Sequence, residues 1–358
     1  MTTVRAKEGD LWCELGEYLG EGREGICHRV SNSNTELRGM VLKEMFDSQR
    51  ALKTLSHIER LLTPRTKRSF CETPSLECLL VTLFMSEEGK CCLLMPEAHG
   101  TTLLDVSSLA AVMKLSLDER LLIAYQIASG TRTIHQAGII HADIAGPNII
   151  IDTQQIRAFI LDMDGGGIVN SLPPRIKGHH GDWMAPELQS DSSPPPNQHS
   201  DCWSLAVVLH EIITGLSPFY FCSTIQEISK YVGKWPPSPK AVDTAYVQWS
   251  NWHRQILDQI PSIVTLFKRT FNMGQKNPQA RPSASEWEQV LQNRFGSLPQ
   301  AVRVCPQCGQ ENSQELIYCH NSQCSAIIHR VLGRCHNCRC FIPINAKFCP
   351  ECGNEQIN

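Results

Sequence analysis

The period of hydrophobic and polar positions changes along the chain. Residues 12–45 read as strands: YLGEGREGICHRV carries a glycine-rich turn, and GMVLKEMF is a buried strand. Residues 48–62 switch to helical spacing, with Leu52, Leu55, Ile58 and Leu62 on one side. Residues 64–76 are polar, contain Pro64 and Pro74, and are predicted as a loop. CLLVTLF and CCLLMPE flank SEEGK, the pattern of a hairpin. Beyond about residue 100 helical spacing takes over, at 116–136, at 201–215 and in SASEWEQVLQNR, where Ser283 or Ser285 is the cap. SDSSPPPNQH (190–199) and WPPSPK (235–240) are Pro-rich loops. The pattern predicts a strand-rich lobe, a helix-rich lobe and a tail.

Composition narrows the class. The chain has 358 residues, 42% hydrophobic and 19% charged, enough apolar material for a core and too much for wholesale disorder. Thirty-three Lys and Arg against 36 Asp and Glu leave a net charge of −3, so no basic excess points to nucleic acid or an anionic membrane. The longest apolar helix-like run, Trp203 to Ile213, is interrupted by Ser204, His210 and Glu211 and falls short of the roughly 18 residues of a membrane span. The start, MTTVRAKEGD, lacks the apolar segment of a signal peptide, so a soluble, cytoplasmic protein is expected.

Cysteine changes the picture of the tail. Eight of the 17 cysteines lie in the first 300 residues and nine in the last 54. An odd total clustered in pairs suggests metal thiolates rather than disulfides. Cys305, Cys308, Cys319 and Cys324 follow C-x2-C-x10-C-x4-C; Cys335, Cys338, Cys349 and Cys352 follow C-x2-C-x10-C-x2-C, offset by thirty residues in the first three positions. CPQCG and CPECG resemble zinc-ribbon knuckles, and tetrahedral Zn²⁺ takes four such soft ligands. The simple pairing is two ribbons in sequence; the middle knuckles sharing one ion and the outer knuckles the other is the alternative. Cys340 reads as a spare or packed thiol. Five Lys and Arg against four Asp and Glu in residues 301–358, with thiolates added, make the module acidic, which argues for protein docking rather than nucleic acid.

The chemistry-bearing residues are spread through the two lobes. Gly20, Gly22 and Gly25 form G-x-G-x-x-G before a second strand, the setting of a hairpin over phosphates, where glycines let backbone amides come close. Lys43 ends the apolar run Met40–Leu42 and can pair with phosphates; standing alone it is a solvated strand-end lysine. Glu59 on the next helix is its candidate ion-pair partner, or an ordinary surface residue beside Arg60. In IIHADIAGPNIIID, Asp143 can accept a proton from an attacking hydroxyl while the Asn148 side-chain oxygen holds a divalent cation. Asp162, in FILDMDGGG, follows a buried strand and precedes a glycine run, as a metal-bridging carboxylate would.

This ordered set, GEGREG, MVLK, HADIAGPN, DMD and Ala185-Pro186-Glu187, resembles the eukaryotic-type protein kinases over roughly residues 12–293. SDCWSLAVVLHEIITG and NPQARPSASE match two further family features. The resemblance implies an α+β, two-lobed fold with an antiparallel-sheet N-lobe (12–97) and a helical C-lobe (98–293). A linker (294–302) and the double zinc ribbon (303–358) would follow. It implies a Ser/Thr protein kinase using ATP and Mg²⁺ or Mn²⁺, a protein substrate, and two structural Zn²⁺ in a tail that docks a regulatory protein. The combination resembles bacterial eukaryotic-like kinases that carry zinc ribbons. Asp143 would be the catalytic base, Asn148 and Asp162 the Mg²⁺ ligands, Lys43 the phosphate-orienting cation held by Glu59, and Met95, Pro96, Glu97 and Ala98 the gatekeeper and adenine-contacting hinge. Glu187, Asp201 and Arg281 would brace the architecture, Arg281 paired with Glu187 and Asp201 bound to the catalytic-loop backbone.

Departures from the family pattern matter equally. Ala142 replaces the Arg of H-R-D, and Ser171 is the one hydroxyl residue in 162–187, so activation-loop phosphorylation is not expected to switch the protein. Ala145 stands where Ser/Thr kinases have a phosphoryl-stabilising Lys, and Pro147 where tyrosine kinases have a compensating Arg. Asp164 replaces the Gly of D-F-G and competes with Asp162 for the metal role. His180 occupies the place of the substrate-site Thr. A nucleotide-binding pseudokinase scaffold is therefore the alternative reading.

Overall fold

The computed structural model describes residues 3–5, 12–21, 25–31, 39–46, 48–79, 82–85, 90–103, 106–175, 181–190, 192–222, 228, 233–236 and 253–295, together with four short strands of the tail. The chain divides into two compact units, Met1–Ala98 with Pro299–Asn358, and His99–Leu298.

The first unit is built on an antiparallel sheet. Its strands are β1 (Thr3–Arg5), β2 (Trp12–Glu21), β3 (Gly25–Val30), β4 (Met40–Met45), β5 (Thr82–Met85) and β6 (Cys91–Pro96), in the order β1-β2-β3-β4-β6-β5. Alternation sorts its faces. Leu42 and Leu94 are opposite one another and fully buried, whereas their neighbours Val41 and Lys43 point to the other face. Two helices connect β4 to β5: α1 (Ser48–Leu61) and α2 (Pro64–Cys71), followed by a 3₁₀ turn over Pro74–Leu79.

That last stretch corrects the sequence reading, which made 64–76 a loop and began a strand at Cys78. Pro64 opens the helix instead of breaking it, because a first-turn residue has no intrahelical use for its N–H. The Thr66 N–H donates to the Thr63 hydroxyl at 3.2 Å, capping that turn. Phe70 and Leu76 are fully buried, so the polar composition concealed a small apolar face.

The second unit is mostly helical: α3 (Val106–Val112), α4 (Leu117–Gln136), α5 (Gln198–Thr214), α6 (Pro261–Phe271) and α7 (Ala284–Gln292). Capping boxes start three of them, from Ser116, Asn197 and Ser283, which settles the cap of α7 as Ser283. α5 is buried along nearly its whole length, so its apolar run is a core helix. Trp203 stacks on Phe219 and meets Phe271 edge-on. Short strands complete the unit: β7 (Thr101–Thr102), β8 (Ile139–Ile140), β9 (Ile149–Asp152), β10 (Arg157–Ile160) and β11 (Gly167–Ile168), with β9 between β7 and β10, and β11 paired to β8.

In the tail, β12 (Val302–Val304) pairs with β13 (Glu311–Ser313), and β14 (Leu332–Arg334) with β15 (Phe341–Pro343). The two hairpins are offset by thirty residues, the period of the cysteine pattern. Cys305, Cys308, Cys319, Cys324, Cys335, Cys338, Cys349 and Cys352 lie outside the described residues, as do Gly22 and His180. Among the described residues there is no metal-ligating cluster, and no helix is long and apolar enough to cross a membrane.

Candidate active site

In the second unit, antiparallel pairing gathers residues far apart in sequence. The β9–β10 hairpin aligns Ile149 with Ile160, so Asn148, just before β9, lies beside Leu161, just after β10. The Leu161 N–H donates to the Asn148 carbonyl at 2.8 Å, which brings Asp162 to within one residue of that contact. The β8–β11 pair draws the same loop toward residues 139–143. The Asn148 side-chain amide donates to Asp143 Oδ2 at 2.8 Å and to the Asp143 carbonyl at 2.9 Å. Both side chains are largely buried, and Asp162 is exposed at their margin.

The loop that carries Asp143 is held in an uncommon conformation. Ala142 has φ 66° and Asp162 φ 57°, left-handed values that a Cβ disfavours. A single carboxylate holds the first of these. Asp201, on α5 and 2% exposed, accepts the His141 N–H at 2.8 Å on Oδ2 and the Ala142 N–H at 2.9 Å on Oδ1. His135 Nε2 donates to Oδ2 at 3.1 Å. Burial opposes charge on His135, but hydrogen bonds to Asp201 and Cys202 and the Asp201 charge outweigh it, pushing the imidazole up to about 9. The His141 ring is fixed at both nitrogens. Nδ1 accepts the Asp143 N–H at 3.2 Å, so Nε2 carries the proton and donates to the Leu161 carbonyl at 3.1 Å. His141 thereby ties the Asp143 loop to the Asp162 segment.

Ala142 and Ala145, the two places where the resemblance leads one to expect cations, are both buried. Gly146 follows because nothing larger fits: a Cβ there would lie 2.1 Å from the Leu103 carbonyl oxygen and 3.0 Å from the Trp183 ring.

The segment ending in Ala185-Pro186-Glu187 is anchored on α5 and on residues beyond it. Trp203 Nε1 donates to the Asp182 carbonyl at 2.9 Å, and Ser204 Oγ to the Trp183 carbonyl at 2.7 Å. Ser217 Oγ donates to the Asp182 carboxyl. Trp183 Nε1 donates to Glu211 Oε2 at 2.9 Å. Burial pushes Glu211 up to about 8 despite that bond, and the Asp182 charge adds to the rise, so Glu211 is neutral at pH 7. Arg281 and Glu187 are brought together in a fork, Nη1 to Oε1 at 2.8 Å and Nη2 to Oε2 at 2.7 Å. Arg281 is also stacked 5.3 Å from the Trp203 ring.

In the first unit, cross-strand register arranges the remaining candidates. Gly20 lies opposite Cys27, Cys27 opposite Lys43, and Lys43 opposite Leu93, giving one row on one face of the sheet. Gly25 is required where it stands, since a Cβ would lie 2.2 Å from the Glu44 carbonyl oxygen. Met95 is half-buried at the end of β6, Ala98 likewise just beyond it, and Glu97 between them is 9% exposed. Glu59 is on the exposed side of α1, and the charge it acts on in α2 is Lys67, whose ammonium burial pulls down and Glu59 partly restores.

Sequence reasoning passed over Trp183, Asp182, Ser217 and His135, and noted Glu211 merely as an interruption. That interruption was the available signal, since a carboxyl within an apolar core helix needs a partner.

The family model for the protein kinase domain matches residues 13–295. Three curated relatives illustrate the range. A serine/threonine/tyrosine-protein kinase, HT1, of Arabidopsis thaliana is 24% identical over 302 residues, 83% of this chain and 66% of the relative. The serine/threonine-protein kinase CTR1 of the same plant is 27% identical over 221 residues, 58% of this chain and 25% of the relative. Human mitogen-activated protein kinase kinase kinase 6 is 25% identical over 241 residues, 64% of this chain and 18% of the relative. The chain therefore spans less than two thirds of the length of each.

Proposed function

This chain belongs to the protein kinase family, and we propose that it transfers the γ-phosphoryl group of ATP to a Ser or Thr hydroxyl of a protein substrate. The observation that carries this reading is the Asp143–Asn148 pair. The Asn148 amide donates to Oδ2 of the carboxylate and so orients Asp143 as the group that takes the proton of the attacking hydroxyl. With its nitrogen committed to Asp143, Asn148 turns its oxygen away, and with Asp162 it offers the hard oxygen donors that suit Mg²⁺ or Mn²⁺. Such a cation neutralises charge on the phosphates. Asp162, rather than Asp164, is the second ligand on this reading, because the Leu161–Asn148 hydrogen bond stands next to it. On this reading Lys43 orients the phosphates, which Gly20, Gly22 and Gly25 also receive. Met95, Pro96, Glu97 and Ala98 receive the base.

The prebuilt 181–187 segment supports activity without loop phosphorylation. Its anchors are Trp183 to Glu211, Trp203 to the Asp182 backbone, and Arg281 to Glu187, none of which needs a phosphate. The domain boundaries on this reading are 12–97, 98–293, a linker at 294–302 and a module at 303–358. In that module each hairpin connection carries one C-x-x-C, and two Zn²⁺ on the eight cysteines would close them into an acidic protein-docking unit. A cytoplasmic setting is part of this reading, since cysteines outside disulfides persist there.

Incubation with Mg²⁺/ATP and a mixed peptide library, read by phosphoamino-acid analysis, tests the assignment. Phosphoserine or phosphothreonine from wild type and none from Lys43→Met is expected. ATP binding without any phosphoamino acid would instead mark a pseudokinase scaffold.

A further inference from the structure

The face of the sheet that holds Lys43 continues, one row farther from the glycine-rich turn, through Arg29, Val41 and Met95. Two residues of strand separate the rows, about 7 Å. Val41 and Met95 are apolar, and Arg29 is the charge among them. Its guanidinium, on a side chain 40% exposed, is turned toward Glu97. Nε donates to both Glu97 oxygens, at 3.1 and 3.0 Å, and Nη2 donates to Oε1 at 2.6 Å. Nη1 donates to Glu17 on β2.

The connection is unusual in what it bridges. β4 lies between β3 and β6 in the sheet, so the Arg29 side chain passes over Val41 to reach the residue that follows β6. The Glu97 side chain is 6% exposed, and its backbone N–H donates to the Gly39 carbonyl at 3.0 Å. Glu97 is thus fixed from both sides: by β4's leading turn through its backbone and by β3 through its carboxylate. The Arg29 charge is reinforced by the hydrogen bond and charge of Glu97 and by Glu17.

We propose that this pair is a strut that sets the position of the 96–98 segment, making Arg29 a positioning residue for the nucleotide base; the inference rests on the reading of that segment as the hinge. Moving a buried carboxylate out of a forked guanidinium costs its strong charge-assisted hydrogen bonds. The backbone groups of Pro96 and Ala98 are then presented at fixed places before the nucleotide arrives, and less ordering is left to be done on binding. Asp143, Asn148 and Asp162, the proton acceptor and the metal ligands of this reading, belong to the other unit, so the strut bears on base binding rather than on the transfer step.

The test compares wild type, Arg29→Met and Arg29→Lys. Arg29→Lys keeps a cation for Glu97 but loses the fork, and so guards against a variant that fails to fold. ATP affinity, KM and kcat are measured, with amide hydrogen exchange at residues 95–100 of the nucleotide-free protein. For Arg29→Met, KM and Kd for ATP should rise about tenfold, with kcat at saturating ATP within about twofold of wild type and faster exchange at Glu97 and Ala98. Arg29→Lys should fall between the two. Unchanged ATP affinity in both variants would overturn the strut while leaving the kinase reading intact. So would kcat and the melting temperature falling together in Arg29→Met with Arg29→Lys indistinguishable from wild type, the mark of a merely structural role. Wild type that binds no ATP would overturn the kinase reading, and the strut's role with it.

Discussion

Replacing Asp201 with Asn removes the charge that holds the Asp143 loop. Asp201 accepts two backbone N–H groups and His135, and is 2% exposed. An amide has one accepting oxygen. If that oxygen keeps the His141 N–H, the NH₂ group faces the Ala142 N–H, donor against donor. Hydrogen bonds to a charged group contribute about 1.5–3 kcal/mol each, and an orphaned buried donor costs about 1–3 kcal/mol. A destabilisation of about 3 kcal/mol is therefore expected at pH 7. The left-handed turn at Ala142, which costs about 1–2 kcal/mol to maintain, loses its restraint, and Asp143 moves with it. Urea unfolding and steady-state phosphotransfer are the assays: kcat should fall about a hundredfold while ATP affinity holds.

The pH dependence supplies a second reading of the same bond. His135 is raised to about 9 in the folded protein, so its contribution is fully present below its unfolded value of about 6.5 and is lost as pH rises through 9. The integrated effect is about 3 kcal/mol. Asp201→Asn should flatten this alkaline limb. Stability within 1 kcal/mol of wild type, or an unchanged limb, would refute the reasoning.

Three further outcomes are expected. Glu211, at about 8 when folded, is neutral where its unfolded counterpart is ionised, so stability should fall from pH 4.5 to 8; Glu211→Gln should remove that slope in a thermal-melt series. Gly146→Ala should abolish phosphotransfer and lower the melting temperature, because the Leu103 backbone cannot retreat from a 2.1 Å contact, whereas Ser171→Ala should retain full activity in the same assay. Elemental analysis of the full chain should find about two Zn²⁺ per molecule, with zinc release on thiol modification and kinase activity retained.

How much of this was legible in the sequence depends on the range of the interaction. Local signals worked: Ser283 was one of the two caps read for α7, and the strand-to-helix change of period marked the lobes. The spacing of Asp143 and Asn148 was informative because five residues of one loop decide their contact. The helix at Pro64 was missed because proline breaks some helices and opens others, and the decisive fact, burial of Phe70, is tertiary. Trp183–Glu211 and Arg29–Glu97 join residues 28 and 68 positions apart, so no periodicity could pair them. The left-handed turn at Ala142 was likewise hidden, because alanine carries no preference for it and Asp201, on a distant helix, imposes it.

The central claim is that Asp143, poised by Asn148, accepts the proton during phosphoryl transfer. Its most direct test is the rate of phosphate transfer from ATP by Asp143→Asn, with ATP affinity measured on the same sample. A loss of at least about a hundredfold in kcat with ATP affinity unchanged is predicted. Transfer by Asp143→Asn at the wild-type rate would contradict it.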